Sequence, residues 1–319
     1  MRILFIGTGG IGVPVLQSLL KSQEHRVIGV ITQPDKPAGR KMELQPSPIK
    51  QTALLHGIEV FQPKRIRDAA AVEQIKSLVP EVIVVMAYGQ ILPAGVLDAP
   101  SIACLNLHAS LLPRHRGAAP IQAVILAADA ETGITVMYMD EGLDTGDILL
   151  EKRILIPERE TGGSLHDRLA ELAPDALKDA LTLLNTGSAP RIPQDSAKAT
   201  YAPKLTRESG IIDWSAPPAQ IDRLIRAMNP WPAASTTIPC KDGRPQKLKV
   251  FAAIPHGGSG APGEVLKSGA ESILVAAATG AVLLQEIQPE GKRRMSARDF
   301  LAGNSLAPGT VLGAPVIGH

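Results

Sequence analysis

The sequence predicts an α/β chain in two parts, a doubly wound, mainly parallel sheet followed by a small β-barrel. Three observations carry this expectation. Short Val-, Ile- and Leu-rich runs alternate with helix-spaced segments through the first half. Short strand candidates separated by Gly, Pro and Ser fill the second half. Between them, residues 185–204 are rich in Thr, Gly, Ser, Pro and Ala and lack periodicity, which reads as a linker. The expected domains are 1–188 and 208–319, with 189–207 joining them.

In order along the chain, Arg2–Ile6 is an apolar strand and Ile11–Lys21 a helix; Arg26–Thr32 is the second strand. Ser47–His56 reads as a helix, Ile58–Phe61 as a strand, and Asp68–Leu78 as a helix with Ala71, Val72, Ile75 and Leu78 on its apolar side. Glu81–Met86 and Ser101–Leu107 are further strands. Thr132–Met139 and Asp147–Ile156, separated by only seven residues, are expected to pair antiparallel at the sheet edge. Ser164–Leu184 has helical spacing, with Leu165, Leu169, Leu172, Ala173 and Ala176 on one face. Pro174 inside that pattern predicts a kink or two shorter helices. Beyond the linker come a helix, Pro218–Met228, and strands at Ala234–Ile238, Leu248–Ala253, Gly263–Leu266, Ser272–Ala277 and Val282–Ile287.

The composition, 45% hydrophobic and 20% charged over 319 residues, supports packed cores and excludes wholesale disorder. No apolar run approaches the ~18 residues that suggest a membrane span. Two cysteines, Cys104 and Cys240, cannot make a disulfide framework or a four-thiolate metal site. A reducing cytoplasm is the expected compartment, and no metal is expected. The net charge of +2 is unevenly spread. Lys and Arg number 18 against 21 Asp and Glu over residues 1–190, but 15 against 10 beyond. The basic second half points to a polyanionic partner.

Gly7-Thr8-Gly9-Gly10-Ile11-Gly12 fits the G-x-G-x-x-G pattern of dinucleotide sites. That reading requires an acidic residue at the end of the second strand to hold a ribose. Ile31-Thr32-Gln33-Pro34 stands there instead. The glycines are therefore read as a tight strand-to-helix turn, without a nicotinamide cofactor.

The stretch most informative about chemistry runs from Cys104 to Gly117. Asn106 and His108, two apart on an extended chain, face the same side. They place an amide and an imidazole at the carboxyl end of a parallel strand, where such sheets bind ligands. The acidic loop Asp140–Asp147 offers a carboxylate to the imidazole. An amide to stabilise an oxyanion, an imidazole to move protons and a carboxylate to orient it suit acyl transfer to an amine. No serine or cysteine nucleophile is then required.

Three motifs in the same order resemble the folate-dependent formyltransferases. They are Met86-Ala87-Tyr88-Gly89-Gln90-Ile91-Leu92-Pro93, then Asn106-x-His108-x-Ser110-Leu111-Leu112-Pro113-x-x-Arg116-Gly117, then Gly142-Leu143-Asp144-Thr145-Gly146. The resemblance implies a Rossmann-like catalytic domain and 10-formyltetrahydrofolate as the formyl donor, released as tetrahydrofolate. It implies Asn106, His108 and Asp144 as the catalytic trio. It also implies that Ser110, Leu111, Leu112 and Pro113 lie against the folate. Met86, Ala87, Tyr88 and Gly89, with Asp140, Gly142 and Leu143, are implied at the pterin ring, mainly through backbone.

The second half resembles the branch of that family that acts on charged initiator tRNA. The carrying segments are Ala202-Pro203-Lys204-Leu205, Gly210–Trp214, Ile225–Pro232 and Gly291–Ala297. The resemblance implies an OB-like barrel on the tRNA backbone, with Lys292, Arg293 and Arg294 among its contacts. It implies a second contact, at the acceptor stem, by the loop Pro37–Met42 with Lys36, Arg40 and Lys41. Lys41 and Met42 depart from the family pattern there, which has Gly after the Arg. A monomer with no membrane partner is expected. An amino-sugar nucleotide is the alternative acceptor, disfavoured by the basic second half. A non-catalytic RNA-binding module is the other alternative, disfavoured by the intact trio.

Overall fold

Residues 1–38, 43–239, 245–269 and 272–313 are described by the computed structural model. They fall into two compact units. The first comprises Met1–Pro120, Ala130–Ile156 and Leu165–Pro203, and the second Ile121–Asp129, Pro157–Ser164 and Lys204–His319.

In the first unit, Ile3, Leu4, Phe5 and Ile6 of the strand Arg2–Gly7 are all fully buried. A strand apolar on both faces needs cover on both, which a parallel sheet between helix layers provides. Val82–Met86 and Arg26–Ile31 flank it, both parallel. The seven strands run in the order Ile148–Leu155, Glu131–Tyr138, Ala103–His108, Val82–Met86, Arg2–Gly7, Arg26–Ile31, Val60–Phe61. The last five are mutually parallel. Glu131–Tyr138 runs antiparallel to Ala103–His108, and Ile148–Leu155 closes the edge antiparallel to it, as the spacing of those segments predicts.

The glycine-rich turn is held by packing. Thr8 and Gly9 each donate a backbone N–H to the carbonyl of Ala87, at 3.2 and 3.1 Å. A Cβ on Gly7 would lie 2.8 Å from the Met86 carbonyl oxygen and 2.8 Å from the Phe5 ring. Two N–H groups that a pyrophosphate would use are thus committed to the chain itself. Thr32, where a ribose-binding acid would stand, is buried and bonded to Ser47 Oγ at 2.8 Å and to Thr8 Oγ1 at 3.4 Å. Ser47 also caps the helix Pro48–Leu55 by accepting from the Lys50 N–H.

Pro174 lies within one helix, Gly162–Asn185, and does not divide it into two. The reason is energetic. An interior proline costs about 3 kcal/mol. Leu165, Leu169, Leu177 and Leu181 are buried, and each contributes roughly 1.5–3 kcal/mol. After this helix, the stretch read as a linker is bonded to the first unit. Ile192 exchanges both backbone hydrogen bonds with Ile148, and Tyr201–Ala202 pairs in parallel with Arg116–Gly117.

The second unit is built on an antiparallel sheet in the order Ala234–Pro239, Pro245–His256, Gly280–Pro289, Ser272–Ala277, Val265–Gly269, with Met295–Ser296 beside Gly280–Pro289. Its core gathers Leu248, Val250, Val265, Ile273, Val275, Val282, Leu284 and Ile287 around Trp214 and Phe300. Trp214 Nε1 donates to Thr236 Oγ1, which satisfies the buried indole. The helix Pro218–Ala227 brings buried Asp222 to Arg159 and Arg226, both at 2.9 Å.

The glycine turn yields a direct check. Gly7→Ala is expected to destabilise by about 1–3 kcal/mol through forced overpacking. Gly10→Ala, whose Cβ would meet nothing within 4 Å among the described residues, should change stability by less than about 0.5 kcal/mol. Urea unfolding of the two variants makes the comparison.

Candidate active site

The strand Ala103–His108 delivers Asn106 and His108 to the carboxyl end of the sheet, next to Val85 and Met86 of the neighbouring strand. The loop between Glu131–Tyr138 and Ile148–Leu155 brings Asp144 to them. Asp144 Oδ1 accepts from Asn106 Nδ2 at 3.4 Å, and Oδ2 lies 3.6 Å from His108 Nδ1. Oδ2 also accepts the Gly117 N–H at 2.8 Å. The three residues named from sequence are therefore together. His108 and Asp144 side chains are only 6% and 15% exposed, so the contact between them is largely shielded from water.

The environment of the imidazole assigns its nitrogens. Nε2 lies 2.9 Å from the His115 carbonyl oxygen. A carbonyl can only accept, so Nε2 carries hydrogen. Nδ1 is the nitrogen left to exchange a proton, with the Asp144 carboxylate beside it.

The segment Ser110–Gly117 is shaped by hydrogen bonds that fold it back on itself. Ser110 is buried and donates from Oγ to the Arg114 carbonyl at 2.8 Å. Thr135 Oγ1 donates to the Ser110 carbonyl at 2.7 Å and accepts from the Leu112 N–H at 3.2 Å. Leu112 is buried, while Leu111 and Pro113 are half-exposed. His115 takes a left-handed conformation, φ 60°, and its N–H donates to Thr200 Oγ1 at 2.8 Å. A Cβ on Gly117 would sit 2.6 Å from the Ala202 carbonyl oxygen. Asp140 ties its own loop, accepting from the Gly142 N–H and from Thr145 Oγ1; Gly142 and Leu143 are exposed.

Of the segment expected at the pterin, Ala87 and Gly89 are exposed and left-handed, with φ 49° and 81°. The side chains of Met86 and Tyr88 point elsewhere. Both are buried, and Tyr88 packs among Leu4, Ile6, Ile31 and Ile75. Its hydroxyl has no hydrogen-bond partner among the described residues, and burial pushes its pKa up to about 12. The Tyr88 carbonyl accepts from Gln33 Nε2 at 2.6 Å.

The basic residues expected at tRNA are more dispersed. Lys36 is exposed and donates to Gln33 Oε1. Arg40 and Lys41 lie outside the described residues. In the second unit, Lys292 and Arg293 are exposed on the turn after Gly280–Pro289. Arg294 is engaged within the unit, paired with Glu286 at 2.6 Å and stacked over the Phe251 ring at 4.3 Å. Among the described residues, no three His, Cys, Asp or Glu side chains are grouped to hold a metal ion, and no helix is long and apolar enough to cross a membrane.

Comparison with known proteins supplies the family. The family model described as formyl transferase matches residues 1–181, and that of the formyl transferase C-terminal domain matches 204–305. The chain belongs to the formyl transferase family. Its relatives within that family include the methionyl-tRNA formyltransferase of Methylacidiphilum infernorum, 50% identical over 98% of both chains. That of Geobacter sulfurreducens is 45% identical over 98% of this chain and 97% of its own. Solved structures of the same fold are more distant. The N-formyltransferase from Helicobacter canadensis, in complex with folinic acid and dTDP-3-aminofucose, superposes with a TM-score of 0.65 at 16% identity, covering 92% of this chain and all of that one. HypX from Aquifex aeolicus, in complex with tetrahydrofolic acid, gives 0.61 at 19%, covering 94% of this chain and 47% of that one. At such identities these two establish a shared fold.

Sequence reasoning missed Thr135, Gln194 and Thr200. Thr135 is one more β-branched residue in a buried strand, and Gln194 and Thr200 sit in the aperiodic stretch read as a linker. Two substitutions test this part of the geometry. Thr135→Val removes both buried hydrogen bonds and is expected to cost about 1–3 kcal/mol. Tyr88→Phe removes an unpartnered hydroxyl and is expected to preserve or raise stability. The folded phenol ionises at a higher pH than the unfolded one, so Tyr88 costs stability as pH rises above about 10. Tyr88→Phe should therefore lessen alkaline destabilisation, read from thermal melts between pH 9 and 11.

Proposed function

We propose that this chain transfers the formyl group of 10-formyltetrahydrofolate to the free amino group of methionyl initiator tRNA. The observation that carries the reading is the contact of Asn106, His108 and Asp144 at the carboxyl end of the sheet. Its support on the acceptor side is the near-complete match to relatives named methionyl-tRNA formyltransferase, which extends through the second unit.

The residues present fit a folate donor. Ala87 and Gly89 offer exposed backbone at a turn, and Leu143 offers an exposed apolar side chain one residue before Asp144. The donor supplies a formyl group already activated on nitrogen. Asn106 Nδ2 donates toward the formyl oxygen as the amine adds and negative charge develops there. Asp144 orients His108 and balances the charge on the imidazole while that ring carries a second proton. His108 Nδ1 moves the proton from the attacking amine to the departing nitrogen of the folate. A carbon–nitrogen bond to the amino acid forms as the one to the folate breaks, and tetrahydrofolate leaves. Such a mechanism proceeds through side chains alone and has no step that calls for a metal ion.

The tRNA contacts proposed are Lys36, Arg40 and Lys41 in the first unit and Lys292 and Arg293 in the second. Arg294 supports the turn that presents the latter pair, through Glu286 and Phe251. The chain works as a cytoplasmic monomer in this reading.

Formyl transfer from 10-formyltetrahydrofolate to methionyl initiator tRNA, with UDP-amino sugars as competing acceptors, is the decisive assay. Asn106→Ala, His108→Ala and Asp144→Ala are each expected to lower kcat by roughly 100-fold or more with the fold retained. Normal kcat in any one removes that residue from the mechanism, and formylation of the sugar nucleotide alone overturns the acceptor.

Lys292→Ala and Arg293→Ala should raise KM for tRNA and each reduce the slope of log affinity against log salt by about 1. Arg294→Ala should instead lower the thermal midpoint of the second unit. Equal salt slopes in all three variants and the parent protein would remove this cluster from the tRNA interface.

A further inference from the structure

Asp144 sits in a loop whose internal ties, from Asp140 to Gly142 and Thr145, flank it on either side. Residue 144 is itself left-handed, φ 54°, a conformation that a non-glycine residue holds only when its surroundings impose it. The loop is anchored from two directions. One anchor is the Gly117 N–H on the carboxylate. The other is a side chain from far along the chain, Gln194. Its Nε2 donates to the carbonyl oxygens of Asp144 and Gly146, at 2.9 and 2.7 Å. Its Oε1 accepts from Nε and Nη2 of Arg116, at 3.1 and 2.8 Å.

The primary amide is saturated by this arrangement. Its two N–H groups face two carbonyls, and its one oxygen takes two guanidinium donors. Turning the amide over would set oxygen against carbonyl oxygen and N–H against N–H, so only one orientation is satisfied. The Arg116 it holds is 2% exposed and directly follows His115, whose carbonyl fixes His108 Nε2. A single side chain thus links the segment that positions the imidazole to the loop that carries the carboxylate.

We propose that Gln194 is a positioning residue for formyl transfer, setting the distance between Asp144 and His108 through Arg116 on one side and the Asp144–Gly146 backbone on the other. The assignment rests on the catalytic reading of Asn106, His108 and Asp144. Gln194 touches neither ring nor carboxylate in that role. It acts by holding the two loops in register, and a small displacement of reacting groups is enough to slow a reaction about 100-fold.

Gln194→Met keeps the length and volume of the side chain and removes all four hydrogen bonds. It is expected to lower kcat by about 10- to 100-fold, with KM for tRNA and for the folate donor within about threefold of the parent. Single-turnover rates with excess enzyme then complete a cycle with Asp144→Asn. In the Asp144→Asn background, Gln194→Met should cost less than about threefold, because the group it positions is already lost. Gln194→Glu still accepts from Arg116 but faces the two carbonyls with negative charge, and it should fall at least as far as Gln194→Met. If Gln194→Met does not fold, Gln194→Asn, which keeps an amide and shortens its reach, carries the same comparison.

A kcat within twofold of the parent for Gln194→Met, with Asp144→Asn inactive, overturns the assignment. So does an effect on KM alone, or a loss that multiplies fully with that of Asp144→Asn, as a general weakening of the fold would. If Asp144→Asn keeps the parent rate, the catalytic reading itself fails and the Gln194 assignment falls with it.

Discussion

A largely buried carboxylate has to be brought to an imidazole by the loop that joins the two neighbouring edge strands, and held there by groups that are not charged. The Gly117 N–H and the Asn106 amide meet Asp144, and neither brings a counter-charge. The polar geometry around the site follows from that requirement. Gly117 has to approach the carboxylate with its backbone, so the chain before it turns sharply through His115 and packs against Ala202, leaving no room for a Cβ. That turn in turn places the His115 carbonyl on His108 Nε2. One constraint therefore shapes the segment Ser110–Gly117 and selects the imidazole nitrogen that remains free to move a proton.

The sheet was legible because its signals are local. Fully apolar runs such as Ile3–Ile6 and Val82–Val85 leave few alternatives to buried parallel strands, and the two-residue spacing of Asn106 and His108 gives their common side directly. The meeting of Asn106, His108 and Asp144 was legible for a different reason: these residues coincide with short motifs whose order is distinctive. The glycine pattern after the first strand shows how such a signal is ambiguous. The same spacing serves a phosphate or a close approach to a neighbouring carbonyl, and the nonacidic Thr32 was the residue that separated the two readings.

What sequence could not convey was long-range and polar. Gln194 and Thr200 lie in a stretch with no hydrophobic period, because their task is to meet backbone carbonyls and N–H groups, not to cover an apolar face. Composition reads such a stretch as a connector. Pro174 shows the opposite limit: of the two outcomes expected of it, a kink or a division into two helices, the division does not occur, since the leucines that outweigh the local penalty of a proline count only once they are buried. The basic turn of the second unit shows the same limit. Three adjacent exposed cations look equivalent in sequence, and only the fold separates Arg294, paired with Glu286 and stacked on Phe251, from Lys292 and Arg293.

The bonds from Thr200 to the His115 segment join residues 85 positions apart. On a ribosome adding about 5–20 residues per second, the strand that bears His108 precedes the residues that lock its surroundings by roughly 4–17 s. The central strands are all synthesised before that interval ends. During nascent-chain growth the sheet is therefore available as a scaffold while the loops above it await their last ties. Completion of the site, unlike completion of the sheet, is timed by the emergence of residues 194–202.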